Sequence, residues 1–189
     1  MKKLLFTFLL VPALFLSAQA QRAGVGLKAG VNMSSINGPD VSNAEARVGY
    51  NIGVLANFPL VAGVSLQPEF QVSLQGEGDR GQGDNMGLLY LNIPLMAKVM
   101  LGDAFYLQFG PYAGILLNAK QGDNDLKKSF NTFDGGVGLG LGYHFAGPLF
   151  ADLRYLYGLT TPYDGVDRLD LDGGNRVIQL TLGFVLGGR

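Results

Sequence analysis

Between Gln67 and Leu117 the sequence repeats one rule three times: apolar residues take every second position, and small or polar ones take the positions between. In the middle segment Leu89, Leu91, Ile93, Leu95, Ala97 and Val99 form one series, and Tyr90, Asn92, Pro94, Met96 and Lys98 form the other. Period two marks a strand whose two faces meet different surroundings. The preceding segment sets Leu66, Pro68, Phe70, Val72 and Leu74 against Gln67, Glu69, Gln71, Ser73 and Gln75. The following one sets Leu107, Phe109, Pro111, Ala113, Ile115 and Leu117 against Tyr106, Gln108, Gly110, Tyr112, Gly114, Leu116 and Asn118.

The rule extends in both directions. Val25 to Met33 alternates with Gly, Lys28, Asn32 and Ser34, and Val48 to Phe58 alternates with Arg47, Gly49, Asn51, Gly53, Leu55 and Asn57. Later, Val137, Leu139, Leu141, Tyr143 and Phe145 oppose four glycines and His144. Leu149 to Tyr157 oppose Phe150, Asp152, Arg154, Leu156 and Gly158, and Ile178 to Leu186 oppose Val177, Gln179, Thr181, Gly183 and Val185. Eight strands are expected. Their connections alternate between long polar stretches (residues 36–46, 76–85, 119–132 and 160–174) and short turns near Pro59–Gly63, Leu101–Ala104 and Ala146–Pro148. An even number of antiparallel strands with all long loops at one end is the layout of an up-and-down outer-membrane β-barrel, with both termini at the short-turn end.

The N-terminus has the form of a secretory leader spanning residues 1–20. Lys2-Lys3 precedes an apolar run from Leu4 to Leu16, and Ala18-Gln19-Ala20 supplies an A-x-A cleavage site. The domain expected after it is a barrel over residues 21–189. Of 189 residues none is Cys, so disulfides and cysteine-ligated metals are excluded. The formal net charge is −1, and −3 once Lys2 and Lys3 leave with the leader. Such a balance argues against nucleic acid as a partner.

A soluble lipocalin-type barrel has the same alternation turned inside out. Two features favour a membrane wall. The polar face is built mainly from Gly, Ser, Asn and Gln, which suit a narrow interior better than a water-facing surface. The apolar face of each segment carries no charge, as expected where a mid-bilayer Lys or Arg costs about 2–4 kcal/mol. The strand charges Lys28, Arg47, Glu69, Lys98, Asp152 and Arg154 all share the other face, and with Gln108 they are the expected interior polar network. Apolar-face aromatics Tyr50, Phe58, Tyr143, Phe145, Tyr155, Tyr157 and Phe184 lie mostly toward strand ends, as in two interfacial girdles.

Gln67-Pro-Glu-Phe, Tyr90-Leu-Asn-Ile-Pro-Leu, Lys98 and Phe109-Gly-Pro-Tyr-Ala-Gly, in that order, resemble the PorT-like outer-membrane β-barrel family. Gly26-Leu-Lys-Ala-Gly-Val-Asn32, Asp134 to Tyr143 and Arg154-Tyr-Leu-Tyr-Gly-Leu159 are similar too. The resemblance implies an eight-stranded barrel in the outer membrane of a Bacteroidota-type bacterium. One branch of that family is tied to a protein-secretion apparatus, and most members have no assigned activity. The final residues, Leu186-Gly-Gly-Arg189, depart from the aromatic ending usual in outer-membrane barrels.

Glu69 and Lys98 are candidates to pair across adjacent strands, and Asp152 and Arg154 to pair with neighbours across the lumen. Such ions and amides neutralise one another where water is scarce; the competing use is a gated pore. Inward Tyr90, Met96, Tyr106, Tyr112, Phe150 and Leu156 are expected to fill an interior that is just wide enough for side chains. His144, the only histidine, falls at the short-turn end, where a hydrogen-bonding role is expected rather than catalysis. The carboxylates of Asp164 to Gly173 have oxygen ligands for a hard cation but not the EF-hand spacing, and are expected to be a solvated loop. Gly138-x-Gly140-x-Gly142 recurs with strand period and opens no helix, so it is not a nucleotide motif.

The chain is thus expected to be a monomeric, non-enzymatic barrel without cofactor or metal. Lipid would surround it, and envelope proteins would meet its outer loops. A small pore for ions or solutes is the first alternative, and a soluble ligand-binding barrel the second.

Overall fold

The structure, a computed structural model, describes residues 23–36, 45–78, 86–122, 124–145, 147–161 and 174–187. The expected leader, the Asp164–Gly173 cluster and most of three long connections lie outside the described residues.

Eight long strands form the wall: β1 (Gly24–Ile36), β2 (Glu45–Val61), β3 (Val64–Gly78), β4 (Met86–Leu101), β5 (Phe105–Gln121), β7 (Phe133–His144), β8 (Leu149–Gly158) and β9 (Asn175–Leu186). A two-residue β6 (Asn124–Asp125) pairs only with the end of β5. Every pairing is antiparallel and joins chain neighbours, apart from β5 with β7, which passes over the short β6, and β1 with β9, which closes the barrel. Closure leaves no edge and pairs the backbone of every wall strand on both sides, as hydrocarbon requires.

The strands measure 10–17 residues, against the 9–11 or so that a tilted strand needs to cross a bilayer. Much of the surplus lies at the long-loop end, where β5 ends and β7 begins beyond the segments read from the sequence. At the other end, Gly63 (φ 75°) and Gly102 (φ 83°) take left-handed backbone conformations in tight turns, which glycine adopts without penalty. The β2–β3 turn is shorter than expected, because β2 continues through Pro59 and Leu60 to Val61.

The alternation sorts as expected. Every wall strand exposes outward hydrophobics, up to 69% at Val48, while on β3 and β4 much of the outward series, such as Leu66, Val72, Leu91 and Ile93, is half-buried. A continuous apolar outer surface with a polar core is the reverse of a lipocalin. At the turn end the outward aromatics form a cluster, with ring centroids 4.9 Å apart for Phe105–Tyr143 and 5.1 Å for Tyr143–Phe145. The aromatics are not confined to the rims, since Phe70 and Phe109 are exposed farther along the wall.

Period two fails at two places on the loop side. In the β4–β5 ladder Leu89 faces Asn118 while Tyr90 faces Leu116, so Leu117 is an extra residue. This bulge turns Ala119 inward, where it packs with Leu88, Tyr90, Leu116 and Phe130. The expected loop 119–132 is therefore partly wall. Its remainder is β6 and a short 3₁₀ turn (Lys127–Ser129), after which Phe130 folds over the interior. Second, β9 begins at Asn175, so Arg176 falls in register with outward Ile178 and the outward series carries a charge after all. Its guanidinium donates to the Gly158 carbonyl at 2.9 Å and lies 3.6 Å from the Tyr157 ring centroid, which leaves it only 8% exposed.

Candidate functional site: a filled barrel interior

The inward side chains stack in layers. At mid-barrel Glu69 (β3) is the hub. Both its oxygens accept from Arg154 (β8), Nη1 to Oε2 at 2.9 Å and Nη2 to Oε1 at 2.8 Å. Lys28 (β1) places Nζ 2.6 Å from Oε2, and the Gln67 amide donates to Oε1 at 2.8 Å. Arg154 Nη2 also donates to Gln108 Oε1 (β5) at 2.6 Å, and Asp152 lies 4.0 Å from the same nitrogen. Glu69 thus ties β1, β3 and β8 together, and Arg154 adds β5. Gly53 stands between Lys28 and Gln71 in the β1–β2–β3 register, so β2 puts no side chain between β1 and β3 at that level.

Two residues of the expected network lie elsewhere. Lys98 does not pair with Glu69. It faces Ser65 across the β3–β4 ladder, four residues from Glu69 toward the turns, which is about 13 Å along a strand. Its Nζ instead sits 3.7 Å from the Tyr106 ring centroid and 5.5 Å from that of Phe150. Arg47 faces Ser34, six residues from the level of Lys28 or about 20 Å, and its guanidinium lies beside Gly87 at the long-loop end. Alternation assigns a face, but the height of a residue in the lumen depends on register.

On the loop side of the ionic layer the interior becomes an amide lattice. Asn32 Nδ2 donates to Ser73 Oγ at 2.8 Å and to the Tyr50 and Leu74 carbonyls at 3.1 Å. Asn51 donates to Asn32 Oδ1 at 2.7 Å, Gln75 to Ser73 Oγ at 3.0 Å, and Asn175 to Gln75 Oε1. Tyr112 donates to Asp134 at 3.2 Å, and Thr160 donates to the same carboxylate at 2.8 Å. Sequence inspection missed Asn32, Asn175 and Asp134 as network members. Their amide or carboxyl side chains on the inner face were the available signal. Above them lies the apolar cap around Phe130.

The glycines of β7 make this filling possible. A Cβ on Gly142 would overlap the Tyr106 ring, one on Gly136 would lie 2.7 Å from the Tyr112 ring, and one on Gly138 would lie 2.9 Å from Leu156. The large inward residues Tyr90, Met96, Tyr106, Tyr112, Phe150 and Leu156 are all buried. His144 lies tilted against Tyr106, with centroids 4.9 Å apart and ring planes at 45°. Among the described residues there is no group of three His, Cys, Asp or Glu side chains that can hold a metal.

Solved structures share this architecture. Neisserial surface protein A matches with 13% identity and a TM-score of 0.50, over 87% of this chain and 96% of its own. Ail, the attachment invasion locus protein of Yersinia pestis, matches with 14% identity and a TM-score of 0.53, over 87% and 99%. At such identities the likeness shows the fold alone. No curated protein matches the sequence. The family model described as "Outer membrane protein beta-barrel domain" matches residues 17–162. Taken with a closed barrel that is greasy outside and polar within, that match means the chain belongs to the outer-membrane protein β-barrel domain family and resides in the outer membrane.

Proposed function

We propose that this protein is a non-enzymatic, monomeric outer-membrane barrel of structural or interaction type, whose loop-bearing end meets partners while its interior serves as a plug. The observation that carries this is the mid-barrel cross-section: Lys28, Glu69, Gln108 and Arg154 are each at most 2% exposed. A passive pore needs a continuous water path, and a bidentate Arg–carboxylate pair with a second cation spans the lumen instead. The residues that define the plug, Lys28, Glu69, Gln108, Asp152 and Arg154, are the same in either use, so the small-pore alternative requires that this layer open.

The resemblance to the PorT-like family supports an association with secretion, with residues 1–20 serving as an export leader. Among the structural neighbours, Ail is named for attachment and invasion and has been solved with the heparin analogue sucrose octasulfate. This fits a general scheme in which such barrels present outer surfaces to ligands or envelope proteins. The purified mature chain in planar bilayers is expected to show no unit conductance; reproducible single-channel steps refute the plug. A deletion strain assayed for secreted protein and for envelope integrity separates a secretion role from a purely structural one.

A further inference from the structure

Among the described residues the turn end of the barrel is left open. A cavity of about 320 Å³ opens there among Asn57, Ser65, Lys98, His144 and Val185, with Asp103 at its rim. That volume is at the lower limit for small-molecule sites. The rings of Tyr106 and Phe150 lie over Gly142 and Gly183 and beside Lys98 at the cavity's inner side.

Lys98 is the unusual member. It lines the cavity yet is only 4% exposed. Among the described residues its ammonium has no ion pair within 4.0 Å: Glu69 is taken by Lys28 and Arg154, and Asp152, 4.0 Å from Arg154, acts on Lys98 only from a distance. Its close contacts are the two aromatic faces. The inner layer thus holds three cations, Lys28, Lys98 and Arg154, against two carboxylates, Glu69 and Asp152, and of the three cations Lys98 is the one that lines the cavity without a close ion pair. The Asp152 and Glu69 carboxylates attract this cation from beyond ion-pair distance, and the ring faces beside it offer no acceptor for its three N–H groups. The Ser65 hydroxyl and the Asn57 amide line the same space, beside apolar Val185 and Met100. One charged anchor, a few polar groups and an apolar remainder suit an anion with a short hydrocarbon body.

We propose that this vestibule is a binding site for a small organic carboxylate, which enters from the periplasmic side, sets its carboxylate against Lys98 and lays its hydrocarbon tail along Val185 and Met100. Asp103, at the mouth, opposes the charge of the incoming anion and sets a limit on affinity.

The test is a titration of the refolded mature protein, with ¹³C-labelled Val and Met methyls, in uncharged maltoside micelles. The probes are butyrate, its neutral analogue butyramide, and inorganic phosphate. Butyrate is expected to shift the Val185 and Met100 methyls saturably, with Kd on the order of 1 mM, while butyramide and phosphate do not. Lys98→Met, with folding checked by heat-dependent gel migration, is expected to weaken butyrate binding about tenfold. Asp103→Asn, at an exposed turn, is expected to tighten it about twofold. If Lys98→Met does not fold, the butyrate–butyramide difference and the Asp103→Asn response decide. The proposal is overturned if butyrate does not saturate, if butyramide binds equally, if phosphate binds and butyrate does not, or if folded Lys98→Met keeps full affinity.

Discussion

Arg154 grips Glu69 across the barrel lumen through two parallel hydrogen bonds of 2.9 and 2.8 Å, although the residues are 85 positions apart in the chain. The strands that carry them, β8 and β3, are not neighbours in the sheet. The bond is therefore a strut between opposite walls rather than part of a ladder, and both ends are buried.

Cutting that strut from one side leaves unmatched charge. Glu69→Ala strands Lys28 and Arg154 in a dry interior and is expected to destabilise the barrel by about 3–5 kcal/mol. Replacing all three groups together (Lys28→Met, Glu69→Leu, Arg154→Met) is expected to recover most of the loss, because no orphan charge remains. Urea unfolding of vesicle-inserted protein gives both values. Equal losses in the single and triple variants would contradict the charge account. Neither variant is expected to show large conductance.

The Gly142–Tyr106 contact is steric. Gly142→Ala puts a methyl where the Tyr106 ring lies, and is expected to cost about 1–3 kcal/mol as an overpacked site. Tyr106→Leu removes the ring and is expected to relieve that penalty in the double variant. A double-mutant cycle on folding stability measures the coupling, and simple additivity would show that the two residues do not compete for the same space.

Depth in the membrane is read by an outward charge. Leu139 lies mid-strand on β7, facing Phe109 and Tyr155, whereas Val61 ends β2 at the turns. Leu139→Arg is expected to cost about 2–4 kcal/mol and Val61→Arg about 0–1 kcal/mol. Similar costs at the two sites, measured by unfolding in lipid, would contradict the bilayer placement.

Arg176 tests how an outward-register cation is tolerated. Arg176→Ala loses the hydrogen bond to Gly158 and the face of Tyr157, and is expected to cost about 1–2 kcal/mol. Arg176→Lys is expected to recover little, since an ammonium cannot both stack flat on the ring and reach the carbonyl. Unfolding midpoints of the two variants decide the matter, and a fully stable lysine variant would show that charge alone suffices.

Much of this architecture was legible in the residue order. Strand number, antiparallel meander and the inner or outer face of nearly every wall residue follow from period two, because successive Cβ atoms must alternate across a strand. Strict alternation broke at Leu117, where a bulge reversed the parity that placed Ala119, and the strand ends ran further than the apolar series because wall beyond the bilayer needs no greasy face. Partner choice was not legible. Lys28, Glu69, Lys98 and Arg47 share one face in the sequence pattern, yet Glu69 meets Lys28 and Arg154 while Lys98 lies against Tyr106 and Arg47 beside Gly87. Which inward groups meet depends on the register of each ladder and on closure of β1 onto β9, both of which are set by the whole sheet. Local order therefore decided which way each side chain points, and only the closed barrel decided how high it sits and what it touches.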